Sequence, residues 1–369
     1  MQKIIKQFLQ MALLITIFFV FAVSSALAAS DATNELMDIN LWATGGIQLS
    51  PPFSSSYKKY NAYVNSDVAN VLIKVTAKSP QVKIKINGID MKTGTDNGYM
   101  AKLNTGINKF RLIVTGADGS TEKYILHITR ENIQPVVDKF LKLTYTDMET
   151  GTTMQYRLFK PVHYKPEKSY PMVLFLHGSG ECGSDNEAQL LANQGATIWA
   201  KKEEQARHPC FVLAPQAKDT WLDDANNKNG ISDIDMALKV LYRVMESYNI
   251  DKNRLYATGV SDGATGIWNL NQKNPALFAA MVPVCGIGDP EQAYKLIDKP
   301  IWAFHGEGDP VISVNYTRAM IQSLRDQGAT PLFTEYPRET YIYPMAHYSW
   351  VAAYQTREMR DWVFAQIKK

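Results

Sequence analysis

A serine framed by glycines, Gly259-Val260-Ser261-Asp262-Gly263, carries the clearest chemical signal in the chain. A free hydroxyl is a poor nucleophile until a base takes its proton and a carboxylate orients that base. The five residues follow the strand-like run Leu255–Gly259 and open a helical pattern. That context suits a nucleophile elbow, a strained turn that lifts the serine clear of a sheet. A plain tight turn would use the same letters, so the partners must decide. In folds built on an elbow the chain order is serine, carboxylate, histidine. Only His305 and His347, of six histidines, follow Ser261. His305, in "AFHGEGDPVI", is too close to Asp309 for one loop to supply both base and orienter easily. His347, in the loop "YPMAHYSW", has no periodic place in a core and is the expected base. Asp309, in a glycine-rich loop at the carboxyl end of a strand, is the expected acid, with Glu307 its rival.

Acyl chemistry at Ser261 also needs two fixed N–H donors for the tetrahedral oxyanion. One is the amide of Asp262, next after the serine. The other belongs to the loop "LHGSGECG", with Ser179 the expected donor. Trp221 and Trp350 are candidates to line an acyl or sugar pocket, and core or rim packing accounts for them equally well. "DDANNKNG" (Asp223–Gly230) lacks the alternating acids and closing Glu of a calcium loop and reads as polar surface. No cysteine or histidine spacing suggests a metal, and no cofactor is implied. Cys182, Cys210 and Cys285 are odd in number, so at least one thiol is unpaired in a monomer; buried small hydrophobes are expected.

These groups need a rigid frame, and the pattern around them supplies one. Apolar runs near Phe140–Thr146, Met154–Lys160, Met172–Leu176, Phe211–Leu213, Ala279–Val284, Pro300–Phe304 and Pro331–Tyr336 read as strands. Helical patterns lie after Ser232, after Ser261, at Tyr316–Arg325 and at Val351–Ile367. Strands alternating with helices predict a mostly parallel sheet covered on both faces. Residues 36–132 differ. Short alternating runs such as Asn70–Ala77 and Ile107–Val114, punctuated by Asn87-Gly88, Asn97-Gly98 and Asp118-Gly119, predict an all-β immunoglobulin-like sandwich. A linker is expected over 133–138 and the catalytic domain over 139–369.

The N-terminus has its own logic. Lys3 and Lys6 precede the apolar run Met11–Val23, and "SSALAA" follows. This predicts a signal peptide over residues 1–28 and an exported protein with no membrane span after its removal. The run is shorter than the roughly 20 apolar residues of a spanning helix. A formal charge of +3 over 369 residues, without a basic run, argues against nucleic acid as a partner.

Two resemblances follow from these segments. "LSPPFSSSYKKYNAYV" and "GINKFRLIVTGADGSTEKYILHITRE" resemble the bacterial cadherin-like β-sandwich domain. "LFLHGSGECGSDN", "VLAPQ", "IDKNRLYATGVSDGA", "FHGEGDPVI" and "AHYSWVAAY" resemble secreted α/β-hydrolases of the esterase and predicted-peptidase group, related to feruloyl esterases, polyhydroxyalkanoate depolymerases and phospholipase/carboxylesterases. The resemblance implies Ser261 as nucleophile, Asp309 as acid, His347 as base, and Ser179 and Asp262 as oxyanion donors. Two positions depart from it: Cys182 stands where relatives often carry Arg, and Asp262 where Met, Leu or Gln is more usual. The expected activity is hydrolysis of carboxylic esters, polysaccharide-linked or polymeric ones included. A serine peptidase with the same triad is the first alternative. A catalytically silent surface-binding protein is the second.

Overall fold

The computed structural model describes residues 34–91, 98–222 and 231–368. The signal peptide expected over 1–28, Asn97 of one predicted turn and the polar stretch Asp223–Gly230 lie outside them. The described chain forms two compact units, one of strands up to Arg130 and one running on from Glu131.

The first unit is the expected sandwich. Strands β1 (Leu36–Trp42), β3 (Asn70–Ala77) and β6 (Tyr99–Lys102) form one sheet in the order β1-β3-β6. Strands β2 (Lys59–Val64), β4 (Lys83–Ile86), β5 (Ile89–Asp90), β7 (Gly106–Thr115) and β8 (Thr121–Arg130) form the other, ordered β2-β8-β7-β4-β5. Strand β2 shows why the alternation was legible: Tyr60, Ala62 and Val64 are buried while Lys59, Asn61 and Tyr63 face out. Asn87 and Gly88 both have positive φ (49° and 85°) and close the tight β4–β5 hairpin, as a two-residue turn requires.

The second unit is built on eight strands: β9 (Leu141–Thr146), β10 (Thr153–Phe159), β11 (Tyr170–Leu176), β12 (Phe211–Gln216), β13 (Ile250–Val260), β14 (Ala280–Val284), β15 (Trp302–Gly306) and β16 (Leu332–Tyr336). Their order is β16-β15-β14-β13-β11-β12-β10-β9. All neighbours pair in parallel except β12–β10 and β10–β9 at one edge. The near-continuous apolar run of β11 follows from burial on both faces. Met172, Leu174 and Leu176 enter a core with Ile234, Leu241, Ile267 and Trp268, while Val173 and Phe175 enter another with Trp199, Tyr354 and Val363. Each such side chain contributes about 1.5–3 kcal/mol by leaving water. This is the α/β-hydrolase architecture.

Local signals set the element ends. Ser232 caps the helix Asp233–Ser247, its Oγ accepting from the Asp235 N–H at 3.2 Å. Two expectations change. The segment 133–138 is not a bare linker: it holds the short helix Gln134–Val137, and Ile133 and Val137 are buried in the second unit's core. The single C-terminal helix expected over Val351–Ile367 is two, Trp350–Gln355 and Arg357–Ala365, broken where Thr356 turns extended (φ −66°, ψ 104°).

Candidate active site

Strand β13 leads straight into Ser261, held at φ 53°, ψ −120°, a conformation that non-glycine residues rarely adopt. The flanking glycines are a steric necessity. A Cβ on Gly263 would lie 2.1 Å from the Leu176 carbonyl oxygen and 2.4 Å from that of His177. A Cβ on Gly259 would meet the Gly263 backbone at 2.6 Å. The turn can therefore pass directly over the end of β11 only without side chains at these two places. The helix Asp262–Lys273 starts at once, and Ser261 N–H is anchored on the Val284 carbonyl at 3.0 Å.

Three residues far apart in sequence meet here. Ser261 Oγ donates to His347 Nε2 at 2.9 Å, and His347 Nδ1 donates to Asp309 Oδ2 at 2.7 Å. The carboxylate fixes the tautomer: the ring nitrogen facing it carries the hydrogen, which leaves the other free to accept. Ser261 and His347 are 8% and 7% exposed, enough for a small group to reach them. Asp309 Oδ1 accepts from the Val311 and Ile312 amides at 2.8 and 3.0 Å. Burial alone would raise its carboxyl pKa, but the hydrogen bonds from His305, His347, Ile312 and Val311 outweigh that and hold it well below the usual carboxylate range. Glu307, the rival, accepts from the Arg338 amide and lies beside Arg318 instead.

The loop after β11 packs on the elbow. A Cβ on Gly178 would stand 3.5 Å from Ser261 Cβ, so the loop that carries Gly178 passes close beside Ser261. Asp262 N–H begins the elbow helix, where the first amides have no intrahelical acceptor. Its carboxylate turns away to the Thr220 hydroxyl (3.0 Å) and the Trp221 amide (2.9 Å). The unusual acid at this position thus braces the neighbouring loop. His177 is fully buried; its Nδ1 donates to the Gly178 carbonyl at 2.7 Å and its Nε2 accepts from the Ala217 amide at 3.0 Å. Burial pushes its pKa down to about 4, so the ring is neutral and structural.

The tryptophans divide. Trp221 does not line a pocket: it is 0% exposed, and its indole N–H donates to the His177 carbonyl at 2.9 Å. It supports the loop from beneath. Trp350 is half-buried and meets the His347 ring edge-on at 5.3 Å. All three cysteines are free. Cys210 and Cys285 are buried as expected, whereas Cys182 is half-buried and donates to the Asp219 carbonyl. Burial, with Asp262, Asp233, Glu181 and Asp219 nearby, pushes the Cys182 thiol up to about 12, which leaves it inert.

Sequence reasoning gave no role to Glu181 and weighed His305 only as a base. Glu181 folds back over Gly178, its carboxylate 3.2 Å from where a Cβ would stand and under the influence of the Gly178 amide. Burial pushes its pKa up to about 7 from 4.5, partly offset by that amide. The folded state therefore favours the protonated acid. The stability this gives is fully present below pH 4.5 and is lost as pH rises through 7. Glu181→Gln should remove this decline, so urea unfolding of the two proteins from pH 4 to pH 9 should diverge upward for the variant, by about 1–3 kcal/mol at the alkaline end. Parallel curves would mean that the carboxyl titrates normally. The second residue is His305, buried against Asp309. Its signal was the His-to-Asp spacing of four in "HGEGD", too short for a base but right for a brace.

Residues 31–131 match the family described as the cadherin-like beta sandwich domain. A solved thermostable esterase is 31% identical, covering 83% of this chain and 99% of that one, with a TM-score of 0.61. The chain belongs to that esterase's family. It is a carboxylic-ester hydrolase with a sandwich before its catalytic fold. A bifunctional acetylxylan esterase/xylanase of Neocallimastix patriciarum is 24% identical over 185 residues, which is 50% of this esterase and 25% of that relative. The esterase thus spans about a quarter of that curated protein's length. No helix of its described residues is long and apolar enough to cross a membrane.

Proposed function

We propose that the esterase works through an acyl-enzyme on Ser261, as an exported protein acting on esters carried by polysaccharides. The observation that carries the mechanism is the relay from Ser261 through His347 to Asp309, at 2.9 and 2.7 Å. His347 Nε2 takes the Ser261 proton as Oγ attacks the ester carbonyl. The carbonyl oxygen becomes an oxyanion between the Ser179 and Asp262 amides, and Asp309 steadies the imidazolium. As the intermediate collapses, His347 gives that proton to the leaving alcohol. It then takes a proton from water as that water attacks the acyl carbon, and when the acyl C–O bond to Ser261 breaks it delivers this proton to Oγ, releasing the acid and the free serine.

Export rests on the basic, apolar and A-x-A pattern of residues 1–28. The polysaccharide-linked substrate rests on the likeness to the acetylxylan esterase relative. The deciding experiment compares p-nitrophenyl esters, acetylated xylo-oligosaccharides, feruloylated sugars and peptide amides. Cleavage of the sugar esters with no measurable amide hydrolysis is expected. Amide cleavage at a comparable kcat/KM would make the protein a peptidase, and cleavage of p-nitrophenyl esters alone would remove the polysaccharide.

A further inference from the structure

We infer that His305 is a positioning residue for Asp309, fixing the carboxylate in line with His347 and sharing its charge. The inference rests on the proposed triad and adds a fourth residue behind it.

His305, next to last in β15, has no exposed surface and makes three polar contacts. Its Nε2 lies 3.1 Å from Asp309 Oδ2 and 2.9 Å from the Ile312 carbonyl; its Nδ1 lies 2.8 Å from Thr317 Oγ1. Two acceptors face Nε2, so that nitrogen carries the hydrogen and divides it between them. Nδ1 of the neutral ring is then the acceptor, and the Thr317 hydroxyl is its donor. The competing acceptor for that hydroxyl, the Gly286 carbonyl, is farther away at 3.3 Å. The helix Val314–Asp326, which carries Thr317, thereby sets the ring plane, and the ring sets the carboxylate.

Counting donors shows what this does. Asp309 Oδ1 is filled by the Val311 and Ile312 amides, and Oδ2 takes His305 and His347. Three of the four donors come from the segment 305–312 itself. The carboxylate's rotamer is thus locked without His347, with one direction left open toward it. The second effect is electrostatic. A donor on Oδ2 withdraws part of the negative charge that would otherwise stabilise the imidazolium of His347. Among the described residues Cys285 also lies beside the Asp309–His347 pair, and its buried thiol is pushed up and stays neutral. Glu307 pairs with Arg318 at 3.7 Å, Arg318 pairs also with Glu335, and the substitutions below leave all three in place.

The test is His305→Leu, which deletes the donor, beside His305→Gln, whose amide can restore it. Turnover of p-nitrophenyl acetate is followed from pH 5 to pH 9. His305→Leu should lower kcat roughly 10- to 100-fold, with KM within about threefold, because the carboxylate loses its fixed direction. The acid limb of the profile should also move up by about 0.5–1 pH unit, since the undivided carboxylate stabilises cationic His347. His305→Gln should bring both values most of the way back. Thr317→Val, which frees the ring without touching Asp309, should shift both in the same direction by less, and it decides the matter if the leucine variant does not fold. A fall in kcat with an unmoved limb and no rescue by glutamine would reduce His305 to packing and overturn the inference. The triad itself is judged separately by Asp309→Asn, so a silent Asp309→Asn would sink the triad rather than the role of His305 alone.

Discussion

Ser261→Ala is expected to lower ester turnover by about 10⁵–10⁶ and to abolish labelling by a fluorophosphonate probe. Removing the nucleophile of a serine relay costs about as much as removing the whole relay, because its members act as a unit. What survives is the rate that oxyanion donors and binding supply alone. The fold should be kept, since the hydroxyl's polar partner is His347 and the backbone of the elbow is unchanged. Ser261→Gly should match the alanine variant in activity and exceed it in stability by about 1 kcal/mol, because only glycine takes φ 53° without a Cβ penalty. Intact-mass analysis after labelling and thermal unfolding of both variants check this. A label on Ser179 or Ser349, or more than a hundredth of wild-type turnover in Ser261→Ala, would refute the assignment of the nucleophile.

Asp309→Asn should follow with a loss of roughly 10²–10⁴ in turnover at neutral pH. The amide keeps the shape of the carboxylate but presents a donor where His347 Nδ1 also donates, so the ring is pushed toward the wrong tautomer. It also stops stabilising the imidazolium. KM should change little, because the side chain has no exposed surface and does not meet substrate. Glu307→Gln, at a half-exposed side chain next to Arg318, should stay within about an order of magnitude of wild type. Kinetics of the two single variants on one soluble ester settle the ranking, and the reverse order would move the acid to Glu307.

The elbow was legible because its rule is local and steric: two glycines are demanded by the end of β11, whatever the rest of the chain does. Strand and helix identities were legible for a related reason, since burial on two faces, as in Val173 and Leu174, leaves its pattern in the residues themselves. What stayed hidden depends on partners distant in sequence. Nothing near Trp221 says that its indole will find the carbonyl of His177, so a pocket role looked as natural as a buried one. His305 was judged as a rival base, when the three-way contact with Asp309, Ile312 and Thr317 makes it a support. Ile133 and Val137 lie in a stretch with the look of a connector, and only the core that receives them reveals their burial.

The glycine contacts at the elbow bear on how this enzyme's substrate range can be changed. A Cβ on Gly263 would clash with the carbonyls of Leu176 and His177, one on Gly259 would clash with the Gly263 backbone, and one on Gly286 would lie 2.5 Å from that of Ala264. The turn at Ser261, the end of β11 and the segment after β14 are therefore packed as one block. A mutational library that includes any of these positions spends its members on clones that cannot close the block. Diversity belongs in side chains that border the block without sealing it, such as Trp350 beside His347 and Arg338 above Gly308. Selection for new acyl or alcohol groups can then proceed while the reacting atoms keep their places.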